Sequence, residues 1–213
     1  MDFGLPNIRD TLLLMPGFII GLTFHEYAHG WTAYRLGDDT ARNYGRLTLN
    51  PIAHLDPIGF LMLCLAGFGW AKPVPVNPYN LKTNFKQGML MVALAGPVTN
   101  VIVALVLMFI LSILFRIDNG LLTEIIARGI FINILLAFFN LLPIPPLDGS
   151  RILAGLIPGE NTWIYNIEQY GFIILLVLVF TGCTRFLIEH IVVPVVQTIF
   201  LVAYAFSGVL GIW

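Results

Sequence analysis

The sequence predicts an all-α integral membrane protein: about five transmembrane helices, one short re-entrant or interfacial segment, and a small β-rich insertion on the cytoplasmic side. Three observations predict it. Of 213 residues, 58% are hydrophobic and 11% charged, less than half the roughly 25% charged residues of soluble domains. With 16 Phe, 4 Trp and a mean hydropathy of +0.86, too little polar surface exists to wet a globule of this size. Uncharged runs long enough for a bilayer also recur along the chain. A net charge of −1 without a basic block excludes a nucleic-acid binder. The two cysteines, Cys64 and Cys183, lie inside apolar runs, which excludes a disulfide-stapled secreted domain. A single domain over 1–213 accounts for the length.

A crossing helix needs about 20 apolar residues. The first expected span runs from about Ile8 to Leu36 and is unusual, because it carries His25, Glu26 and His29 in its second half. The polar stretch Asp38 to Lys86 follows and reads as short strands with turns, Gly45 to Pro51 being one strand closing in a turn. Within it, Pro57 to Ala71 is apolar and glycine-containing but too short to span, hence re-entrant or interfacial. In Ala71 to Pro78, Pro73 and Pro75 fall two apart. An extended chain would then lose its donors on one edge and keep those of Val74 and Val76 on the other, as an edge strand does. A polyproline-like connector fits equally well.

Four further spans are expected at about 88–115, 122–142, 164–183 and 188–211. They rest on the uncharged runs Gln87 to Phe115, Gly129 to Leu147, Gln169 to Thr184 and His190 to Trp213. Segment 37–86 holds Arg42, Arg46, Lys72, Lys82 and Lys86, with Arg35 just before it, whereas the turns at 116–121 and 184–189 hold only Arg116 and Arg185. The positive-inside rule makes 37–86 cytoplasmic and puts the N-terminus outside. The first span and the span at 122–142 both run inward, so His25, His29 and the loop containing Asp148 are expected at the same depth.

His25-Glu26-Tyr27-Ala28-His29 is an HExxH motif. On a helix the two histidines share one face about 6 Å apart along the axis, so both rings can grip one metal ion. Glu26 is turned about 100° away, within reach of a water proton but not a natural third ligand. Each ionisable group inside a membrane helix costs about 2.5–3.5 kcal/mol on insertion scales, and a bound cation offsets three of them. A catalytic zinc takes three protein ligands and keeps an open position. The residue types and positions leave Asp56, Asp148, Glu168, Glu189, His54 and His190 as candidates for the third. Asp148 stands out by context: Asn140 to Gly149 breaks a helix with prolines and delivers a carboxylate at its end. Broken backbone at membrane depth survives where it is packed in protein or lines a cavity.

HExxH on one membrane helix and Asn140-Leu141-Leu142-Pro143-Ile144-Pro145-Pro146-Leu147-Asp148-Gly149 ending another resemble the site-2 protease family of intramembrane zinc metalloproteases. Further matches are Gly45 to Pro51, His54 to Gly59, Ala71 to Asn77 and Ala95 to Asn100. Together they cover roughly 20–155 and are similar to the compact prokaryotic branch without PDZ or CBS domains. The resemblance implies one Zn2+ per chain held by His25, His29 and Asp148, and Glu26 as general base. Asn140 and His54 are candidate donors to the tetrahedral intermediate, from the resemblance and from their place near one membrane face. It also implies a family core at 8–157; the helices at 164–183 and 188–211 match no motif.

The expected activity is therefore hydrolysis of peptide bonds within or near the transmembrane segment of a membrane-anchored substrate. The expected partners are a single-span membrane protein, the lipid bilayer and a regulatory membrane partner, with no nucleic acid. The expected location is a prokaryotic cell membrane, multi-pass, with the site toward the cytoplasm. A spanning substrate must unwind locally, and the Val74–Val76 edge offers its extended form replacement hydrogen bonds. The competing reading is a metal or ion transporter using the His/Asp cluster as a transit site. It gives no reason for a glutamate directly after His25, and no repeated interrupted helices accompany it. Asn100, in a long apolar run, reads as a packing residue.

Overall fold

A computed structural model describes residues 8–66, 69–115, 120–159 and 167–209. The chain is an all-α membrane protein. Its described helices are α1 (Ile8–Arg35), α2 (Thr40–Asn43), α3 (Pro57–Ala66), α4 (Phe85–Leu114), α5 (Gly120–Leu141), α6 (Asp148–Leu156), α7 (Gly171–Phe180) and α8 (Cys183–Gly208). Of these, α1, α4, α5 and α8 are long and apolar enough to cross a bilayer. Helices satisfy every backbone group internally, which lipid demands.

Local chemistry sets the helix ends. The Asn84 side chain accepts from the Lys86 N–H at 3.0 Å and caps α4. Gly37, at φ +106°, ends α1. There the Gly37 N–H reaches the Tyr34 carbonyl and the Asp38 N–H reaches the Ala33 carbonyl at 2.9 Å, closing carbonyls the helix leaves open. Asp38 then accepts from the N–H groups of Thr40 and Asn77 and from the Asn80 amide, which ties the end of α1 to the 77–80 turn.

Helices α1, α4 and α5 pack pairwise and form the centre of the molecule. Small residues set how close α1 and α5 come: a Cβ at Gly17 would lie 2.5 Å from the Gly129 Cα, and one at Gly21 would lie 2.5 Å from the Asn133 side chain. Their four-residue spacing is the small-xxx-small pattern of close membrane helices. Helix α8 closes one flank, burying Val192, Val196 and Ala203 against Ala104, Leu107, Leu111, Ile130 and Ile134 of α4 and α5. Near the N-terminal ends of α1 and α5, Arg128 binds Asp10 at 2.6 Å and Glu124 at 2.8 Å, and Arg9 binds Glu124 at 3.0 Å. The prolines after α5 stop it, and α6 starts directly against its last carbonyls. A Cβ at Gly149 would lie 2.2 Å from the Leu142 oxygen, so only glycine lets this turn fold so tightly.

Two expectations are corrected. The β-rich insertion contains no strand among the described residues; it contributes one isolated antiparallel bridge between Leu55 and Ala71. The reason lies in where its backbone bonds go. Pro73 and Pro75 carry no N–H, Arg46 takes the Lys72 carbonyl at 2.7 Å, and the N–H groups of Val74 and Asn77 go to acidic side chains. The connector reading of 71–77 is the apt one. The expected span 164–183 is also shorter: described α7 covers only Gly171–Phe180, and left-handed Gly182 (φ +77°) separates it from α8. The start of that span at 164–166 lies outside the described residues, as do Arg116 and the side chain of Cys64.

Candidate metal centre

His25 and His29 stand one turn apart on α1, both buried, with ring centroids 4.6 Å apart and planes nearly perpendicular. Their Nε2 atoms are 2.9 Å apart. Asp148, the first residue of α6, brings its Oδ2 to 3.1 Å from His25 Nε2 and 3.2 Å from His29 Nε2. Three donors from two distant parts of the sequence thus meet at one point. Two of them come from the HExxH turn and the third from the helix restart that Gly149 permits.

One face of α4 holds the rings from behind. Val92, Gly96 and Asn100 are spaced four apart and face the histidines. The Val92 carbonyl accepts from His29 Nδ1 at 2.7 Å, and Asn100 Oδ1 lies 2.6 Å from His25 Nδ1. A Cβ at Gly96 would lie 2.5 Å from both His25 Cε1 and His29 Nε2, so the backbone there forms a floor with no room for a side chain.

The donor set fits a small divalent ion. A carbonyl can only accept, so His29 carries its proton on Nδ1 and turns the lone pair of Nε2 toward the cluster. Asp148 Oδ2 is buried and accepts no hydrogen bond. Two acceptors pressed together away from water are costly unless a cation lies between them. A tetrahedral site with bonds of about 2.0–2.1 Å spaces its donors about 3.3 Å apart, close to the 2.9, 3.1 and 3.2 Å found here. Two imidazoles and a carboxylate suit zinc better than calcium or magnesium, which prefer all-oxygen shells.

Glu26 lies beside the cluster, buried, and its Oε2 accepts the Val74 main-chain N–H at 2.8 Å. This corrects one expectation, since the Val74 donor is not free for an incoming strand. A cavity of about 320 Å³ opens in front of the three donors. Glu26, Asn140, Arg151 and Glu168 line it together with apolar Pro73, Val74, Val76 and Met89. Asn140 donates to the Leu136 carbonyl at 3.0 Å while facing this space.

His54 is not brought to the cavity. It is fully buried, and its Nε2 donates to the Thr48 carbonyl at 2.7 Å, holding the 48–54 turn closed. Among the other sequence candidates for a third ligand, Asp56 accepts the Gly59 N–H, Glu189 pairs with Arg185 at 2.7 Å, and His190 donates to the Phe186 carbonyl. Glu168 lines the cavity but stands outside the group of three. Sequence reasoning missed the Val92–Gly96–Asn100 face, Arg151 and the Val74–Glu26 bond. A buried Asn four residues after a glycine, inside an uncharged run, was the available signal for the first.

Residues 114–181, which include Asn140 and Asp148 but not the HExxH turn, match the family model of Peptidase family M50. "Putative zinc metalloprotease YwhC" of Bacillus subtilis is 45% identical over 80% of this chain and 83% of its own. "Putative zinc metalloprotease Rip2" of Mycolicibacterium smegmatis is 31% identical over 80% of this chain and 67% of its own. "Putative zinc metalloprotease MJ0611" of Methanocaldococcus jannaschii is 34% identical over 71% of this chain and 75% of its own. No solved structure matches the chain.

Proposed function

The chain belongs to peptidase family M50 and is a metalloprotease, and from that premise we propose that it cuts peptide bonds inside or near the transmembrane segment of single-span membrane proteins. His25, His29 and Asp148 hold one zinc ion, and Glu26 is the general base. The observation that carries the reading is the meeting of His25, His29 and Asp148 donors within 3.2 Å, with Glu26 in the same cavity.

When bound, zinc supplies a Lewis acid that polarises a carbonyl and lowers the pKa of water toward 7. The two oxygens of Glu26 divide the labour. Oε2 is held by the Val74 N–H, so Oε1 is the oxygen that takes a proton from the attacking water. Glu26 then returns that proton to the leaving amine as the C–N bond breaks. Asn140, on the cavity wall, donates to the carbonyl oxygen as it becomes anionic.

The substrate unwinds and lies extended along the apolar wall Pro73–Val76. By the positive-inside rule the N-terminus is outside, so the cavity faces the cytoplasmic side, the short route for water. A regulatory membrane partner governs access in this reading.

The test uses purified protein in liposomes with a single-span substrate. Glu26→Gln keeps about one zinc per chain and loses cleavage, whereas Asp148→Ala loses both. A metal carrier would keep most of its transport in Glu26→Gln, and cleavage by that variant overturns the assignment.

A further inference from the structure

Behind His25 lies a chain of buried amides that the reaction above does not use. Asn100 on α4 and Asn133 on α5 are both completely buried. Asn133 Nδ2 donates to two main-chain carbonyls, Gly129 at 2.8 Å and Gly17 at 3.2 Å. Its Oδ1 accepts from Asn100 Nδ2 at 3.1 Å, and that same nitrogen donates to the Gly21 carbonyl at 3.0 Å. Asn100 Oδ1 meets His25 Nδ1 at 2.6 Å.

Direction in this chain is fixed from its far end. The carbonyls of Gly17, Gly129 and Gly21 can only accept. Turning the Asn133 amide over would set its oxygen against two carbonyl oxygens, so its nitrogen must face them and its oxygen must face Asn100. Turning Asn100 over would set its oxygen against the Gly21 carbonyl and Asn133 Oδ1. Both Asn100 hydrogens are therefore committed, and its oxygen is left for His25. Nδ1 of His25 must then carry the proton, and Nε2 presents its lone pair to His29 and Asp148. His29 receives the same instruction directly from the Val92 carbonyl.

We propose that Asn100 and Asn133 are positioning residues that fix the tautomer and ring orientation of His25 as a metal ligand, Asn133 acting through Asn100. The inference rests on reading His25, His29 and Asp148 as zinc ligands. The bland account is that two asparagines join three helices by polar contacts. The two accounts differ because an outer-shell partner of a ligating histidine sets metal affinity, with losses of about 10–100-fold on removal.

The experiment measures zinc affinity by competition with a chromophoric chelator, on protein in detergent that elutes as a single species with wild-type helicity. Asn100→Leu is expected to weaken zinc about 10–100-fold. Asn100→Asp keeps an acceptor toward His25 Nδ1 but sets its second oxygen against the Gly21 carbonyl and Asn133 Oδ1, so its affinity falls between wild type and Asn100→Leu. Asn133→Leu weakens zinc several-fold in the wild-type background. In the Asn100→Asp background it no longer weakens zinc, because there Asn133 Oδ1 faces an oxygen that cannot donate to it; a double-mutant cycle reads this coupling. Wild-type affinity in folded Asn100→Leu overturns the proposal, as does an equal effect of Asn133→Leu in both backgrounds. Should Asn100→Leu fail to fold, the Asn133→Leu comparison decides alone. Asp148→Ala separates the two levels. If it loses zinc while the asparagine variants do not, only the positioning role falls; if it binds zinc as wild type does, the ligand assignment falls too.

Discussion

The main-chain N–H of Val74 donates to Glu26 Oε2 at 2.8 Å, joining the connector after α3 to the acidic residue of the HExxH turn. A buried carboxylate needs donors, and this bond also aims the acid. It fixes which oxygen faces the cavity, and it places the apolar wall Pro73–Val76 at the width of one hydrogen bond from Glu26.

Val74→Pro removes that N–H with little change of shape, since its neighbours Pro73 and Pro75 already hold the chain extended. Zinc content should be unchanged while kcat falls up to about 100-fold, the scale of a base misplaced by an ångström. Single-turnover cleavage beside metal analysis checks this; unchanged kcat means that the bond does not orient Glu26.

Gly96→Ala forces a methyl into the floor of the centre, 2.5 Å from both rings. Its neighbours are the His25 and His29 rings, held from behind at Nδ1, so they cannot retreat. Zinc should fall to well below one per chain and activity with it, by about 100-fold or more on the scale of lost ligand orientation. Gly120→Ala, with nothing within 4 Å of its Cβ, serves as the control and should bind zinc normally.

Chelation should lower the thermal unfolding midpoint of the wild type and leave Asp148→Ala unmoved. A ligand that binds only the folded state stabilises by about 4.1 kcal/mol at 1,000 times its dissociation constant. Unfolding followed by tryptophan fluorescence, with chelator and with zinc restored, reads the shift. An equal midpoint in both proteins would remove the metal from the account of stability.

Asp38 supports the connector from its other end. Burial raises its pKa, but donors from Thr40, Asn80 and the Asn77 N–H outweigh burial and hold it below the ordinary carboxyl range. A depressed folded pKa stabilises fully above the unfolded value of about 3.9 and is lost as pH falls through the lower folded value. Asp38→Asn should cost about 1.5–3 kcal/mol at neutral pH, the scale of hydrogen bonds to a charged group. The gap to wild type should narrow below about pH 4. Unfolding midpoints of both proteins between pH 3 and 7 test the sign, and a gap that widens on acidification contradicts it.

The spans, the HExxH turn and the Asp148 turn were legible because each is set by a local rule: lipid needs long apolar helices, and ligands at i and i+4 share a face. What escaped was set by partners far along the chain. His54 has the right chemistry for a site, yet its proton goes to Thr48 six residues earlier. Alternating prolines at 73 and 75 could mark a strand or a connector, and the acceptors that decide between them, Glu26 and Asp38, lie on or just after α1. Asn100 looked like packing because nothing in a run of apolar letters says that His25 lies opposite. The run at 169–184 is apolar enough for a longer helix, but left-handed Gly182 divides it.

Val92, Gly96 and Asn100 make α4 a jig against which both imidazoles are clamped. A jig of that kind forbids one route of entry. In the proposed reaction, prising α1 from α4 to admit a membrane polypeptide would strip both imidazoles of their Nδ1 partners. On that proposal, entry falls to the cavity walls that bear no ring, the Pro73–Val76 stretch and the α6 turn that carries Arg151.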